Sequence, residues 1–300
     1  MATTKLQYDR ERIEFGDGIK TLRKSKGLTG HQLAKEAGIS QSKLSKIETG
    51  ALVPSTDDLQ KILPNLGASQ STIKRLIELA RALRTEFVSW RFEHRQGLAA
   101  KQIDVGEMEK QAKCIRVFQN AIIPGLLNIP AYARCVLDFA NVSGQSDVDR
   151  AVAARIGRQQ ILYEPERQFE FLITEGAALS RFCDPQIVIQ QLDRLSFLFG
   201  LPNIKIGFLP NRVVLPQIPV NSFAIFDSNY RVVETLTGEV ATVDQEDIAI
   251  YLQTFESLAS AAIFGAHADP ILDEWKKLLA SWSASSSGVR INEASALIRA

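Results

Sequence analysis

The sequence predicts two domains, an all-α N-terminal domain of five helices followed by an α+β C-terminal domain. The chain has 300 residues, about twice the usual size of one compact domain. Residues 1–85 contain short helical patterns separated by capping signals, whereas strand patterns of period two occur only beyond residue 107. We therefore place the domains at 1–85 and 107–300, with a helical connector at 86–106.

The composition is that of a folded chain, with 45% hydrophobic and 23% charged residues. No apolar run approaches the roughly 18–20 residues that a membrane span needs, so we expect no membrane partner. Residues 1–17 are charged and lack an apolar signal-peptide core, which favours a cytoplasmic location. Three histidines and three widely spaced cysteines (Cys114, Cys135 and Cys183) indicate neither a metal site nor a disulfide framework, and we expect no cofactor.

Charge is distributed unevenly along the chain. Residues 1–100 carry a net charge of +6, and residues 101–300 carry −5. Between Lys20 and Lys46 there are seven basic residues and one acid, Glu36. A basic block on an otherwise balanced chain indicates a polyanionic partner, and the alternative is an ordinary solvated helix face.

Capping signals divide the N-terminal segment into helices. The first helix carries Phe15, Ile19 and Leu22 on one apolar stripe and ends at Gly27. The following helices begin at N-cap residues, two of them with a capping-box partner three positions later: Thr29 with Gln32, Ser40, and Ser55 with Asp58. A long fifth helix is predicted over residues 70–95.

The second and third helices are joined across residues 38–40, which is the geometry of a helix-turn-helix. Such a motif inserts its second helix, here Ser40 to Thr49, into the DNA major groove. With Leu44 and Ile47 facing the core, a polar set faces outward. We expect base contacts from Gln41, Ser42 and Lys46, and phosphate contacts from Thr29, Lys35, Lys43 and Ser45.

These residues resemble a known family. The segments Gly27-Leu28-Thr29, Gly38-Ile39-Ser40 and Leu44-Ser45-Lys46-Ile47-Glu48-Thr49-Gly50 are similar to XRE-type, phage-repressor-like helix-turn-helix regulators over about residues 12–85. The resemblance implies a lambda-repressor-like fold and a structural ion pair between Arg23 and Glu48. One position departs from the pattern, because Gly30 stands where the family often has a phosphate-contacting glutamine.

The second half alternates helix and strand patterns. Period-two strands are predicted at 168–174, 204–209, 222–227 and 231–235, the last two forming a hairpin across Ser228-Asn229. Amphipathic helices are predicted at 148–161, 186–199 and 244–264. A flexible serine-rich segment at 281–288 precedes a short closing helix at 292–299.

This half also resembles a known group. Ile123-Pro124-Gly125-Leu126-Leu127, Tyr132-Ala133-Arg134, the segment 155–159 and Gln191-Leu192 are similar to the C-terminal domain of actinobacterial WhiJ-like and Scr1-like, antitoxin-like regulators. The resemblance implies a transcriptional regulator whose C-terminal domain binds a small protein encoded by an adjacent gene. It implies no enzymatic activity.

Two other functions stay open for the C-terminal domain. Five aromatic residues could line a small-molecule sensing pocket, although the same spacing is typical of core residues: Tyr132, Phe171, Phe208, Phe223 and Phe226. An enzyme would have to use the carboxylates of Glu107 and Glu109 or of Glu164 and Glu166, which have no evident catalytic companions. We therefore assign no catalytic residue. The three cysteines are interpreted as buried small hydrophobes, with a redox-sensing role as the alternative.

The sequence as a whole predicts a cytoplasmic, nucleoid-associated transcriptional regulator that binds double-stranded DNA. A single reader domain buries only about 600–1,000 Å² against DNA, which favours a homodimer on a palindromic operator.

Overall fold

The computed structural model describes residues 2–89, 97–141, 144–218, 220–235 and 237–285. By compactness the chain divides into two units. The first comprises residues 1–88 and 240–246, and the second comprises residues 89–239 and 247–300.

The first unit is mainly helical. Its helices are α1 (Ala2–Ser25), α2 (Gly30–Glu36), α3 (Gln41–Glu48), α4 (Thr56–Asn65) and α5 (Gln70–Ala82), followed by strand β1 (Thr85–Ser89). Thr29, Ser40 and Ser55 each cap a helix with their side-chain oxygen, as predicted. The capping boxes with Gln32 and Asp58 are both formed.

The prediction of one long helix over residues 70–95 is wrong in its second half. Helix α5 ends at Ala82, and the following residues through Ser89 lie in a strand, while residues 90–96 fall outside the described ranges. The β-branched and aromatic residues of the Thr85–Ser89 strand fit an extended chain better than a helix. Leu22 also departs from the predicted apolar stripe, since it is exposed.

A single apolar cluster holds the first unit together. It collects Phe15 and Ile19 of α1 with apolar residues of the next four helices, and most of its members are fully buried. The α2 and α3 members are Leu33, Ala34, Leu44 and Ile47, and the α4 members are Leu59, Ile62 and Leu63. The polar face of α3 must therefore lie on the opposite side, toward solvent.

The second unit combines helices with a mixed sheet. Its helices are α6 (Leu98–Gln111), α7 (Pro130–Ala140), α8 (Val148–Gly157), α9 (Glu175–Ala178), α10 (Pro185–Leu198), α11 (Gln245–Ser260) and α12 (Asp269–Ser285). Three 3₁₀ turns lie at Gly125–Leu127, Arg158–Tyr163 and Gly265–Ala268. Its strands are β2 (Cys114–Gln119), β3 (Gln168–Thr174), β4 (Ile204–Leu209), β5 (Phe223–Phe226), β6 (Tyr230–Glu234), β7 (Gly238–Thr242), which runs into the first unit, and β8 (Ile263–Phe264).

Six strands of this unit lie in the order β6-β5-β2-β3-β4-β8. Strands β2, β3 and β4 are parallel, whereas β5, β6 and β8 each pair antiparallel with their partners. The predicted hairpin of β5 and β6 is confirmed, with Phe226 opposite Tyr230. One core cluster joins the sheet to α11 through Phe118, Phe223 and Phe255, and another joins α6, α7 and α8.

Three predicted segments of the second unit need correction. The helix expected over 148–161 ends at Gly157 and continues as a 3₁₀ turn, and the helix expected over 244–264 ends at Ser260, before β8. Residues 281–285 of the predicted flexible segment belong to α12. The closing helix expected at 292–299 lies outside the described residues.

The cysteine prediction is also wrong for two of the three residues. Cys135 and Cys183 form a disulfide, with their Cα atoms 5.8 Å apart. The pairing could not be predicted from the sequence, because the two cysteines are 48 residues apart. They meet only because α7 packs beside the segment that precedes α10. Cys114 is a free, half-buried thiol at the start of β2.

Candidate nucleic-acid interface

The start of α3 is fixed by local hydrogen bonds. The Ser40 hydroxyl accepts the Lys43 amide N–H at 3.1 Å, which satisfies one of the free donors of the first turn. Gly38 precedes it with φ of 63°, a left-handed conformation that glycine adopts without a steric penalty. The short turn between α2 and α3 therefore has the geometry that a helix-turn-helix requires.

One face of α3 is polar and open. Leu44 and Ile47 are fully buried beneath the helix. The opposite face is exposed and carries the outward set that the sequence predicts: Gln41, Ser42, Ser45, Lys46 and Thr49. The structure thus brings the three base-contact candidates and one phosphate-contact candidate onto a single accessible surface of about two helical turns.

The other phosphate-contact candidates differ from one another. Thr29 and Lys35 are exposed on α2 and its cap, but the Thr29 hydroxyl donates to Gln32 Oε1 at 2.8 Å within the capping box. The Lys43 ammonium donates to the buried carboxylate of Asp58 at 2.6 Å. Lys43 is therefore part of the contact between α3 and α4, and any phosphate would share its ammonium with Asp58.

Arg23 and Glu48 connect α1 to the end of α3. The guanidinium donates from Nε to Oε1 at 2.6 Å and from Nη2 to Oε2 at 2.8 Å, and from Nη1 to the Leu28 carbonyl at 2.8 Å. The hydrogen bond to Glu48 raises the pKa of Arg23 despite the opposing effect of burial. The two side chains are 11% and 9% exposed, so this contact is a nearly dry, two-point ion pair.

Two glycines let α1 approach the end of α3 closely. A Cβ at Gly16 would lie 2.4 Å from the Ile47 carbonyl oxygen, and a Cβ at Gly50 would lie 2.8 Å from the Ile13 backbone. Gly50 also has φ of 72°, which favours glycine. The sequence analysis assigns no role to Gly16, although a glycine inside a predicted helix often marks a close backbone contact.

The signature segments of the second unit meet around one loop. The Gln191 side chain accepts the Ile129 N–H at 2.7 Å and donates to the Leu127 carbonyl at 2.9 Å. Gln159 donates to the Asn128 carbonyl at 2.7 Å. These hydrogen bonds hold residues 127–129 in place. The separate sequence segments that carry the resemblance of this half therefore lie together in the structure.

Three of the four carboxylates considered for an enzyme are engaged in ion pairs, and the fourth, Glu166, is exposed. Glu109 is buried and accepts Arg158 Nη1 at 3.1 Å, Glu107 pairs with Lys110 at 2.7 Å, and Glu164 pairs with Arg167. Burial raises the pKa of Glu109 to about 7, although Arg158 and Arg155 oppose the shift. Across the described ranges, no group of three or more His, Cys, Asp or Glu side chains is placed to hold a metal ion.

The aromatic residues considered for a sensing pocket are core residues. Each of the five is buried, with Phe171 and Phe208 fully enclosed: Tyr132, Phe171, Phe208, Phe223 and Phe226. Phe208 packs edge-on against Trp275, and Phe223 packs edge-on against Tyr251. Their burial favours the core interpretation over a ligand-binding one.

Protein-family models match both halves of the chain. A helix-turn-helix domain model matches residues 14–76, which confirms the predicted motif. The model of a domain of unknown function, DUF5753, matches residues 102–274, more than half of the chain. The chain therefore belongs to the DUF5753 family, and its N-terminal domain is of the type found in DNA-binding regulators. No curated protein matches the chain.

The solved structures that match this chain have low sequence identity and low structural similarity to it. NucT from Helicobacter pylori has 12% identity and a TM-score of 0.33 over 60% of this chain and 97% of its own. The phospholipase D family member Nuc from Salmonella typhimurium has 11% identity and a TM-score of 0.33 over 60% and 96%. TrmBL2, an archaeal chromatin protein, has 14% identity and a TM-score of 0.32 over 69% and 70%. These scores are too low to indicate a shared fold or function.

Proposed function

We propose that the chain is a sequence-specific transcriptional regulator of the XRE type that places α3 in the DNA major groove. The exposed polar face of α3, fixed from below by the Arg23–Glu48 pair, carries this proposal. Gln41 and Ser42 at the first turn reach base edges, where a glutamine amide can pair with adenine. Lys46, one turn later, reaches a guanine edge or a phosphate.

The supporting electrostatics favour a polyanion. Between residues 24 and 46 the exposed charged side chains are four lysines and one acid, Glu36: Lys24, Lys26, Lys35 and Lys46. Neutralising phosphates releases counterions, so affinity should fall steeply as salt rises, with a log–log slope of about −0.9 per phosphate.

The direct test is selection of a binding sequence from random duplexes with the full-length chain, followed by anisotropy titrations. Gln41→Ala should cost about 1–3 kcal/mol on the selected sequence and relax preference at one base pair. Lys35→Ala should weaken all duplexes alike and reduce the salt slope by about 1. Lys277→Ala, an exposed lysine on α12 of the second unit, is the matched control. Unchanged affinity in both α2–α3 variants would overturn the proposal.

We further propose a homodimer on a palindromic operator. A groove of about 700 Å³ between α1 and α5 has an apolar floor in which Leu22 and Leu79 remain 38% and 46% exposed. Its α1 rim carries Glu11, Glu14 and Asp17, whereas α5 exposes Lys74 and Arg75. In a two-fold contact, the acidic rim of one copy can meet the basic helix of the other.

Sedimentation of the full chain tests the dimer. Leu79→Glu should yield monomers and weaken binding to a palindrome far more than to a half-site. The exposed Leu52→Glu, outside the groove, should sediment like the unmodified chain. A monomeric unmodified chain at micromolar concentration would contradict the dimer.

For the second unit we propose binding of a small protein encoded by an adjacent gene, as in the WhiJ-like and Scr1-like, antitoxin-like regulators that the sequence resembles. The loop between β4 and β5 supports it, because Val214, Ile218 and Val220 are 84–90% exposed. Three such aliphatic side chains on one loop form a surface that a protein partner can cover.

We propose a cytoplasmic, nucleoid-associated location because of the DNA-binding role. In the described part of the chain, no helix is long and apolar enough to cross a membrane.

Co-purification with the product of the adjacent gene tests this partner. Replacing Val214 and Ile218 by Ser should release it, whereas Ile103→Ser, an exposed change on α6, should not. Equal retention by both variants would place the partner elsewhere on the unit, and no retention by the unmodified chain would remove the proposal.

A further inference from the structure

Two cysteines of the second unit lie together on its surface side. Cys135 is in the middle of α7, and Cys183 is two residues before α10. Both residues are partly exposed, so a small oxidant or a reducing thiol can reach them. The third cysteine, Cys114, lies in β2, and burial raises the pKa of its thiol, which makes it a poor competitor in thiol exchange.

Contacts other than the disulfide also join the two segments. Gln191 fixes α10 to the loop that precedes α7, through hydrogen bonds of 2.7 and 2.9 Å. Phe182, next to Cys183, packs edge-on against Tyr132 of α7 with ring centres 5.5 Å apart, and its ring lies tilted against Phe139 at 6.0 Å. We expect these contacts to return the two thiols to each other after reduction, so that they can oxidise again within one chain.

We propose that Cys135 and Cys183 form a reversible oxidation site through which the second unit responds to hydroperoxides. This inference rests on the proposed function in one respect. A DNA-binding regulator works in a compartment where thiols are kept reduced, and cysteine pairs that oxidise there are commonly redox-sensing rather than structural.

The peroxide is the two-electron oxidant that converts the two thiols to a disulfide. One thiolate attacks the peroxide oxygen to give a sulfenic acid and releases water or an alcohol. The second thiol then displaces water from that sulfur to form the disulfide. The two sulfurs lose two electrons, which reduce the O–O bond, and a dithiol reductant reverses the reaction by thiol–disulfide exchange.

The segment that responds is short. The disulfide ties Cys183 and Phe182 to α7, and Phe139 on the same helix is 76% exposed beside them. Reduction removes the covalent tie to α7 and leaves the ring contacts of Phe182 with that helix, so residues 180–184 should open more often while α7 and α10 keep their positions.

Thiol counting on the full-length chain tests the site. After peroxide treatment, quenching, denaturation and maleimide labelling, the unmodified chain should drop from three adducts to one. Cys114→Ser should drop from two to none. Cys135→Ser and Cys183→Ser cannot form the disulfide and should keep two adducts once arsenite, which reduces a sulfenic acid but not a disulfide, has been added before labelling. Loss of adducts in either of these last variants under that condition, or cross-links between chains, would overturn the assignment.

Reversibility needs a second measurement. In millimolar reduced glutathione the unmodified chain should return to three adducts, whereas a chain that stays at one holds a structural disulfide and contradicts the proposal. Hydrogen exchange of residues 180–184 should rise at least several-fold on reduction, with Cys183→Ser exchanging at the reduced rate in both conditions. Equal exchange in both states would also contradict it. Neither measurement involves DNA, so a failure of DNA binding would be distinguishable.

Discussion

Arg23 of α1 holds Glu48, the last residue of α3, through two parallel hydrogen bonds of 2.6 and 2.8 Å. Helix α3 is thus fixed at its C-terminal end by a charge pair and at its N-terminal end by the Ser40 cap. The buried ion pair and the N-cap together set the orientation of the exposed face of α3.

Removing one member of this pair should be costly. Glu48→Ala leaves the buried Arg23 guanidinium without its carboxylate, and such losses typically cost about 3–5 kcal/mol. We expect this loss in the opening free energy of α3, measured by native-state hydrogen exchange of the full chain. The combined change of Arg23→Met and Glu48→Leu should recover much of it, because no buried charge remains. Asp57→Ala, which breaks the exposed pair with Lys61, should cost less than about 1 kcal/mol.

The N-terminal helices could be predicted because their signals are local. Thr29, Ser40 and Ser55 are N-cap residues whose hydrogen-bond partners lie three residues later. Each helix start is therefore indicated by a short stretch of local sequence. The exposed set on α3 followed from helical periodicity alone. The Lys43–Asp58 contact was missed because it joins two helices, and no local spacing indicates which acid a lysine meets.

The second unit was harder to predict for the same reason. Strand β2 was not predicted, although it lies between β3 and β5, because Arg116 breaks its apolar pattern. That arginine is accommodated by Glu170 on the neighbouring strand, 3.5 Å away, a partner 54 positions along the chain. The Cys135–Cys183 disulfide likewise depends on tertiary packing.

Gly16 should tolerate no side chain. An alanine Cβ there would lie 2.4 Å from the Ile47 carbonyl oxygen, so α1 and the end of α3 must separate. We expect Gly16→Ala to lower the free energy of unfolding by about 1–3 kcal/mol, as overpacking does in other proteins, and to lower DNA affinity.

Gly18→Ala is a matched control on the same helix, because a Cβ there meets nothing within 4 Å. The control should be stabilised by up to about 1 kcal/mol through helix propensity. Equal stability of the two variants, measured by thermal melting of α-helix circular dichroism, would refute the close contact.

Asp58 should give the first unit an acid-sensitive contact. Burial alone would raise the pKa of this carboxyl, but hydrogen bonds from Lys43 and Ser55 outweigh it and hold the pKa below its usual range. A lowered folded-state pKa contributes stability that is present above the unfolded value, near 3.9, and is lost as the pH falls through the folded value. The difference in melting temperature between the unmodified chain and Asp58→Asn should therefore be constant above about pH 5 and shrink below about pH 4. Asp57→Asn, one residue earlier and exposed, should show a much smaller difference. A difference that does not depend on pH would assign the effect of Asp58 to packing.

Glu109 should make the second unit less stable as the pH rises toward neutrality. Burial raises the pKa of this carboxyl to about 7, and the nearby Arg158 and Arg155 reduce the shift without cancelling it. The folded state therefore binds the proton more tightly than the unfolded chain, whose pKa lies near 4.5. Stability should decline between these two values and level off above pH 7, by roughly 3 kcal/mol at most.

Glu109→Gln resembles the protonated acid and should remove that decline, while still accepting a hydrogen bond from Arg158. Melting followed by tryptophan fluorescence reports on this unit, because Trp275 is buried within it. Glu107→Gln, on the same helix but exposed and paired with Lys110, should keep the pH dependence of the unmodified chain. The burial argument fails if Glu109→Gln melts with the same pH dependence as Glu107→Gln, since the proton must then be bound elsewhere.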